Sequence, residues 1–448
     1  MKQRFLSTLQ YLLKILAGLT VRRYDPGIIA ITGSVGKTSA KDAIYAVLKN
    51  ERRTRVSRKN FNNELGVPLT ILGDWEDTGG ALFWIGVLIR GAFRLIVRDR
   101  AYPEVLILEY GVDRPGDMKR LLSIARPHIG VFTAMGDIPS HVEFFMGPEG
   151  IFSEKSKLFT SIPATGFAVL NADDPQVLKL REHIRAQTVA FGFSSEAEIR
   201  AVNHSFLTDS MPWGISFKIT KGGSTVPVQL RGVLGKAQIF ASLAAAAVGS
   251  VFGLNLVKIA EALSSEYAAP VGRLRVVPGV KDTVILDDTY NASPIAMREA
   301  LETLKSVPAK RRIAVLGDML EIGKYTVQAH EGIGHVAAKT AQLLITVGLR
   351  GKFIAEAAVK AGLPRRSVFS FMDVREAGLF LQEKMRKGDV ILVKASQGVR
   401  LERIVKEVMA EPLRAPELLA RQSDAWERKP GLYDAGSVPD GVRQNAVA

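Results

Sequence analysis

The alternation of short apolar runs with helical patterns constrains the fold of this 448-residue chain more than any other feature. From Gly27 onward the runs have strand length, and the segments between them repeat apolar residues at helical spacing. This order predicts mainly parallel sheets covered by helices, because consecutive parallel strands need a crossover connection. The length exceeds that of one ordinary core, so two or three domains are expected.

The first alternating series predicts one α/β domain over residues 25–267. Its strands are predicted at Ile28–Thr32, Val105–Leu108, Ile129–Thr133, Phe167–Leu170 and Thr188–Phe191. Two further runs, Gly214–Thr220 and Ser224–Val233, flank a glycine pair and predict a hairpin. An alanine-rich helix, Ala237–Val251, ends this domain.

A second alternating series predicts another α/β domain over residues 268–412, after a boundary near Ser264–Val271. Its strands are predicted at Thr283–Leu286, Ile313–Leu316, Leu343–Val347 and Val390–Val393. Beyond Glu411 the periodicity is lost and Pro, Gly, Asp and Arg accumulate. Residues 413–448 are therefore predicted to form a disordered tail.

Two apolar segments with basic residues need a separate interpretation. Phe5–Val21 is interrupted by Lys14 and is short for a spanning helix, so residues 1–24 are predicted to form an amphipathic helix on protein or membrane. Ala81–Val97 is the second segment. Its arginines recur every four residues and predict one basic stripe: Arg90, Arg94 and Arg98. Packing of both helices on the body and contact with an anionic membrane remain equally open.

The composition limits the partners and the compartment. Lys plus Arg number 60 against 45 for Asp plus Glu, and the net charge of +15 favours anionic partners such as nucleotides or anionic lipid. No recognition module or stacking motif accompanies this charge, so a nucleic-acid partner is not expected. The absence of cysteine excludes disulfides and thiolate zinc sites and favours a reducing compartment, so a cytoplasmic location is predicted.

A glycine-rich turn directly follows the first predicted strand. The turn consists of Gly33, Ser34, Val35, Gly36, Lys37 and Thr38, and a helix begins near Ser39. Glycines allow backbone N–H groups to point at phosphate oxygens, Lys37 can reach the terminal phosphates, and Thr38 can bind Mg²⁺. The usual pattern has a glycine where this chain has Ile31. An ordinary turn with an exposed lysine is the alternative, but the strand before it and the helix after it favour a phosphate loop.

The motif TGSVGKTS and the segment NFNNELGVPLTIL at Asn60–Leu72 resemble the Mur ligase family, particularly the type that adds D-alanyl-D-alanine. Further segments match the family in order over about Gly27–Val408. They are LEYGVDRPGDM (Leu108–Met118), SHVEFF, EKSKLF (Glu154–Phe159), NADDP (Asn171–Pro175), GRLR, ILDDTYNASP (Ile285–Pro294), AVLGDMLEIGKYTVQAH (Ala314–His330) and VKASQGVRLE (Val393–Glu402). The resemblance implies a P-loop-type central ATPase domain with a mainly parallel sheet and a C-terminal Rossmann-like α/β domain.

The same resemblance implies roles for individual residues. The implied Mg²⁺ ligands besides Thr38 are Glu109, His141 and Lys155 as a carbamate, and these three with Lys37 are the implied catalytic residues. Besides the turn Gly33–Thr38, the implied nucleotide contacts are Ser39, Asn171, Arg273, Asp288, Tyr290 and Asn291. Taken alone, Glu109 could be a surface carboxylate, His141 a loop histidine and Lys155 part of a solvated helix face. Their occurrence in order after a phosphate loop favours one ATP and Mg²⁺ site.

The implied activity is an ATP-dependent ligase that forms a peptide bond through an acyl phosphate, adding D-alanyl-D-alanine to a muropeptide in peptidoglycan precursor synthesis. A ligase for another polymer, of the poly-γ-glutamate or folylpolyglutamate type, is one alternative. A nucleotide-gated binding protein without catalysis is another. Such a protein would keep Lys37 but could dispense with Glu109, Lys155 and Asp288, all of which are present.

The sequence also departs from the family pattern. Family members have a UDP-substrate domain ahead of the phosphate loop, and here Gly33 leaves no room for one. This difference leaves open whether the muropeptide is UDP-linked or lipid-linked. The family's Gly-Arg-His-Asn stretch is replaced by Gly235-Lys236-Ala237-Gln238, Thr133-Ala134 replaces Thr-Asn, and His141 lies two residues later than in the closest pattern.

Overall fold

Two sheets organise the protein in the computed structural model, which describes residues 2–57, 61–75 and 77–434. The first sheet contains β1 (Gly27–Thr32), β2 (Thr54–Val56), β3 (Val105–Glu109), β4 (Ile129–Phe132), β5 (Phe167–Asn171), β6 (Gln187–Gly192), β7 (Ile199–Leu207), β8 (Gly214–Lys221) and β9 (Ser224–Arg231). The second contains β10 (Arg275–Gly279), β11 (Thr283–Asp288), β12 (Arg311–Gly317), β13 (Leu343–Val347), β14 (Val368–Phe371) and β15 (Asp389–Lys394). The α/β class predicted from the alternation is confirmed.

Helices connect and cover the strands. They are α1 (Lys2–Tyr24), α2 (Lys37–Leu48), α3 (Gly66–Leu72), α4 (Ala81–Ile96), α5 (Asp117–Leu122), α6 (Pro148–Thr160), α7 (Pro175–Lys179), α8 (Lys236–Val251), α9 (Leu256–Glu266), α10 (Pro294–Ser306), α11 (Thr326–Ala338), α12 (Gly351–Lys360), α13 (Val374–Lys384), α14 (Glu402–Val408), α15 (Ala415–Leu418) and α16 (Asp424–Glu427). Within the described part of the chain, none of these helices has the length and apolar character needed to cross a membrane.

The strand order of the first sheet creates a crevice beside β1. The order is β2-β3-β1-β4-β5-β6-β7-β8-β9, parallel as far as β7, with an antiparallel β7-β8-β9 extension. The chain moves from β1 to one side of it and returns to the other, so β1 lies where the strand order reverses. Ligands of open α/β sheets bind at the carboxyl end of such a strand. The predicted hairpin is present, with Gly222 and Gly223 at positive φ between Lys221 and Ser224.

The second sheet has the order β10-β11-β15-β12-β13-β14. Its strands are parallel except for β10, an edge strand that runs antiparallel to β11. The buried strands of both sheets are continuous apolar runs, because helices cover both of their faces. The link between the sheets runs from Tyr267 to Leu274 and contains most of the boundary region predicted from the sequence.

The two apolar segments near the N-terminus are helices that pack on the body. Residues of α1 including Leu9, Leu13 and Ala17 are buried, and α1 contacts α3 and α4. Three exposed arginines were predicted on α4 and at its end, and this prediction is wrong for Arg94. Arg94 turns inward, where it donates to the Leu72 carbonyl and pairs with Asp99 at 3.3 Å, because the end of α3 leaves backbone acceptors beside it.

The C-terminal segment differs from the sequence prediction. Disorder was predicted from residue 413, but the described residues as far as Asp434 fold against the second sheet. Leu418, Leu419 and Tyr433 are buried, and Tyr433 Oη donates to the buried carboxylate of Asp318. Specific polar partners therefore order a segment whose composition lacks periodicity. The rest of the predicted tail, residues 435–448, lies outside the described residues.

Candidate functional site

The carboxyl ends of β1, β3 and β4 bring the predicted phosphate loop together with two other predicted site segments. Ile31 of β1 is in register with Glu109 at the end of β3, and Thr32 is in register with Phe132 of β4. Ile31 is fully buried in the sheet, which explains why the usual first glycine is replaced there by a core residue. The loop therefore begins at Gly33, one residue beyond the strand.

Gly33 and Gly36 give the loop its shape. Gly33 has φ of 144°, and a Cβ there would lie 2.0 Å from Thr133 Oγ1, so a larger residue cannot fit. Gly36 has φ of 81° and precedes the first turn of α2, where helix N–H groups lack intrahelical partners. The Ser34 N–H donates to the Ala134 carbonyl at 2.7 Å, and Ser39 is buried next to Tyr267.

Two lysines converge on a single carbonyl oxygen of the loop. Lys37 Nζ and Lys155 Nζ each donate to Gly33 O at 2.8 Å, although Lys155 comes from α6. Burial lowers the pKa of Lys37, and the carboxylate of Glu109 opposes this effect. Burial, and then the nearby charge of Lys37, lower the pKa of Lys155 further below its ordinary value. Lys155 is thus held beside the loop in surroundings that favour its neutral amine.

Glu109 and Thr38 form the second part of the site. The Thr38 hydroxyl donates to Glu109 Oε2 at 3.1 Å, and Asn62 Nδ2 donates to Glu109 Oε1 at 3.3 Å. Glu109 is buried, so its carboxylate depends on these partners. Asn62 was not singled out from the sequence, although it lies in the described part of the NFNNELGVPLTIL segment.

His141 lies where the two sheets face each other. Its backbone has φ of 67°, immediately before a 3-10 turn at Val142–Phe144. Its ring nitrogens are 3.3 Å from Asp113 Oδ1 and 2.9 Å from Glu321 Oε2. The close approach of the His141 ring lowers the pKa of Glu321, which belongs to the second sheet's side of the cleft. The predicted histidine therefore links the two halves of the site through carboxylates that were not predicted.

The second sheet supplies aromatic and cationic groups to the same cleft. The guanidinium of Arg273 lies 4.4 Å from the Tyr290 ring centroid, and both residues line the cleft with Asn291. Asp288 has a different position from the one expected for a direct nucleotide contact. Its carboxylate pairs with the buried Lys394 at 2.6 Å, and Lys394 also donates to the Asn291 carbonyl at 2.9 Å.

Two cavities meet at the phosphate loop and share Val35 and Gly36. The first has a volume of about 400 Å³ and is mainly apolar. Its lining includes Phe191, Ala237, Phe240, Ala241, Ile295 and Glu299. The second has a volume of about 480 Å³ and is lined by Lys37, Thr38, Glu109, Asp113, His141, Arg273 and Tyr290 among others. An apolar cavity next to a polar one fits a ligand with a flat base at one end and charged groups at the other.

Asn171, an implied nucleotide contact, and Gln238, from the stretch that departs from the family pattern, are both hydrogen-bonded inside the protein. Asn171 lines the apolar cavity, but its Nδ2 donates to the Thr133 carbonyl at 2.6 Å and its Oδ1 accepts from the Asp173 N–H at 2.9 Å. Gln238, which stands in the altered Gly-Lys-Ala-Gln stretch, is also buried. It donates to the Arg273 carbonyl at 2.9 Å and accepts from Tyr267 at 2.7 Å.

The folded C-terminal segment adds a wall to the polar cavity. Trp426, Lys429 and Pro430 line it together with Arg400 of the preceding segment. Lys429 Nζ lies 4.5 Å from the Trp426 ring centroid, within cation–π range. This wall was not predicted from the sequence, because its residues have no strand or helix periodicity and were assigned to a disordered tail.

The chemistry of these groups limits how a metal could bind. Within residues 2–57, 61–75 and 77–434, no group of three or more His, Cys, Asp or Glu side chains is arranged to hold a metal ion. The oxygens of Thr38 and Glu109 are nevertheless adjacent, and Mg²⁺ typically takes one or two protein oxygens and completes its shell with phosphate and water. The described residues therefore fit a cation that arrives with a phosphorylated ligand.

Comparisons with known proteins agree with this geometry. The family model of the Mur ligase middle domain matches residues 93–249, and that of the Mur ligase glutamate ligase domain matches residues 272–397. Two relatives carry the name UDP-N-acetylmuramoyl-tripeptide–D-alanyl-D-alanine ligase. The Bacillus subtilis protein is 30% identical over 403 residues, covering 90% of this chain and 80% of the relative. The Mycobacterium leprae protein is 31% identical over 399 residues, covering 84% and 72%.

A solved structure also resembles this chain along most of its length. It is the MurF ligase from Thermotoga maritima in complex with ADP, with a TM-score of 0.74 and 26% identity. The match covers 89% of this chain and 83% of the solved chain.

Proposed function

Because this chain belongs to the Mur ligase family, we propose that it is an ATP-dependent, ADP-forming ligase that adds D-alanyl-D-alanine to a muropeptide in peptidoglycan precursor synthesis. The observation that best supports the proposal is the meeting of an apolar and a polar cavity at the phosphate loop. A nucleotide base fits the first cavity. The second is large and polar enough for phosphates and a reacting carboxylate.

The reaction requires two displacements in one site. A carboxylate oxygen of the muropeptide attacks the γ-phosphorus of ATP, the bond to the β-phosphate oxygen breaks, and ADP leaves. The amine nitrogen of the dipeptide then attacks the acyl carbon, phosphate leaves with the bonding electrons, and the nitrogen loses a proton. Alignment and charge stabilisation dominate the rate of such phosphoryl transfers.

Lys37 and the start of α2 are the groups that would offset the charge on the transferring phosphoryl group. Lys37 Nζ is held at Gly33 O, within reach of a ligand on the loop. Arg273 and Tyr290 approach from the second sheet, and their position allows contact with the nucleotide. Asp288 acts less directly, since its pairing with Lys394 fixes the segment that carries Asn291.

Mg²⁺ would be held by Thr38 and Glu109, with His141 and a carbamate on Lys155 nearby, and it would neutralise charge on phosphate oxygens when bound. Two observations support the carbamate. Lys155 is buried beside the loop, and its surroundings lower its pKa, so its neutral amine is available to react with carbon dioxide. The product would carry two oxygens where the buried amine was.

The proposed place of action is the cytoplasm, where ATP and the precursors are present. Contact with the inner face of the cell membrane, which the N-terminal segments suggested, would be made by exposed residues of α1 and α4.

Phosphate release from ATP tests the activity. The purified chain is incubated with Mg²⁺, D-alanyl-D-alanine and either a UDP-linked or a lipid-linked muramoyl tripeptide, with Lys37→Ala as the matched control. We expect phosphate release only when both substrates are present, together with a product larger by the dipeptide. Release with glutamate and a folate or poly-γ-glutamate acceptor instead would favour another polymer ligase. Nucleotide binding without release under any condition would favour a binding protein.

A further inference from the structure

The outer face of α4 exposes a continuous row of large apolar side chains. The row consists of Leu82, Ile85, Ile89, Phe93 and Ile96, spaced three or four residues apart. Leu82 is 85% exposed, Ile89 65% and Ile96 78%. Residues Val87 and Gly91 on the opposite face are buried, so α4 is firmly packed on one side and uncovered on the other. An uncovered apolar row of this length indicates an interaction surface.

Helix α1 extends this surface, because it lies directly beside α4. Leu16 packs where Gly91 lacks a side chain, and Arg23 Nη2 donates to the Ile96 carbonyl at 3.3 Å. α1 also exposes apolar side chains at helical spacing, namely Leu12, Ile15 and Leu19. The two adjacent helices thus both expose apolar side chains, and we call these eight exposed residues together the α1–α4 face.

Positive charge surrounds the α1–α4 face. Neither α1 nor α4 contains an Asp or Glu residue. Exposed basic residues lie on the flanks and at the C-terminal ends of the helices: Lys14, Arg22, Arg23, Arg90 and Arg98. In a symmetric dimer formed through this face, the same basic residues of two copies would approach each other, which disfavours self-association. An anionic lipid surface offers both an apolar phase and the opposite charge.

We propose that the α1–α4 face docks the protein peripherally on an anionic membrane, with the apolar row entering the boundary between headgroups and acyl chains. The proposal goes beyond the ligase activity and does not depend on it. It also places the reaction site near the bilayer. α1 and α4 both contact α3, and Asn62, which lies shortly before α3, donates to Glu109.

Vesicle co-sedimentation of the full chain tests the proposal. Vesicles of phosphatidylcholine with phosphatidylglycerol are compared with vesicles of phosphatidylcholine alone, at low and high salt. Two variants are used: Leu82→Gln/Ile89→Gln/Ile96→Gln for the apolar row, and Arg90→Gln/Arg98→Gln for the flanking charge. Matched controls replace exposed residues elsewhere, namely Val257→Gln/Leu379→Gln/Leu413→Gln and Arg365→Gln/Arg366→Gln. All of the replaced side chains are exposed, so circular dichroism should show unchanged folding.

We expect the wild type and both controls to bind anionic vesicles. The arginine variant should bind roughly 30-fold more weakly at low salt, and high salt should reduce this difference. The apolar variant should bind at least about tenfold more weakly at either salt concentration. Equal binding by wild type and both variants overturns the proposal. The proposal is also overturned if light scattering shows that the wild type forms dimers and that the apolar variant does not. The α1–α4 face would then be a subunit interface.

Discussion

Arg421 provides the sharpest test of the folded C-terminal segment. Its guanidinium is almost fully buried and reaches back to the segment that follows β11. It donates to the carbonyls of Thr289 and Tyr290 at 3.2 and 2.5 Å, and it pairs with the buried Glu402 at 3.2 Å. We predict that Arg421→Met, which preserves much of the aliphatic bulk and removes every donor, destabilises the second sheet's domain.

The magnitude follows from what each partner loses. Hydrogen bonds from a charged donor contribute about 1.5–3 kcal/mol each. Breaking a buried ion pair on one side costs about 3–5 kcal/mol, but Glu402 keeps Arg400 as a partner at 2.5 Å. With two such hydrogen bonds lost, the expected loss in the free energy of unfolding is about 3–6 kcal/mol. For a domain of this size the melting temperature should fall by on the order of 10 °C.

Differential scanning calorimetry measures this loss, and the KM for ATP provides a second measurement. The KM should rise because Tyr290 and Asn291, which line the polar cavity, lose their support. Arg414→Met is the matched control, since Arg414 lies in the same segment but pairs with Glu417 on the exposed surface. It should leave the melting temperature unchanged. An Arg421→Met protein that melts with the wild type would show that the segment does not pack on the domain as described.

Three further outcomes are expected. Lys37→Ala should fold normally yet lose at least about 100-fold in turnover, because charge on the phosphoryl group is no longer offset, and unchanged turnover would remove the phosphate-loop assignment. Lys155→Ala should be nearly inactive and partly rescued by acetate, which supplies oxygen ligands, whereas full activity without acetate would exclude a role for Lys155. Burial raises the pKa of Glu299 from 4.5 to about 7, so its contribution to stability is complete below pH 4.5 and is lost as the pH rises through 7. As the pH rises from 4.5 to 7, the melting temperature of Glu299→Gln should therefore increase relative to that of the wild type. A difference between the two melting temperatures that does not change with pH would contradict this prediction.

The parts of the fold with strong periodicity were predictable. Buried parallel strands such as Leu343–Val347 are continuous apolar runs, and the structure has the predicted bounds there. Strand β10 was not predicted, because it is a five-residue edge strand that contains Pro278. Strand β2 has three residues, too few for a periodic signal. Short strands and edge strands such as these could not be predicted, because their formation depends on the neighbouring strands.

The candidate site was predictable where its residues follow a strand directly. The loop Gly33–Thr38 follows one strand that the sequence predicted, and Glu109 lies at the end of another. The fold brings the two together, because the Thr38 hydroxyl donates to Glu109. The partners of His141 could not be predicted, because Asp113 and Glu321 come from distant segments that carry no pattern of their own. The roles of these residues remain predictions that the variants above address.

The position of the cavity wall in the chain has a consequence for synthesis. Ribosomes deliver the N-terminal part first, and both sheets are complete once Lys394 has emerged. Trp426 and Lys429, and the Tyr433 hydroxyl that satisfies Asp318, emerge later. A nascent chain therefore has all of its strands before the second core is complete and before the reaction cleft has all of its walls. A premature stop after Met409 would retain every strand but would remove both this wall of the cleft and the last part of the second core, including Leu418 and Leu419.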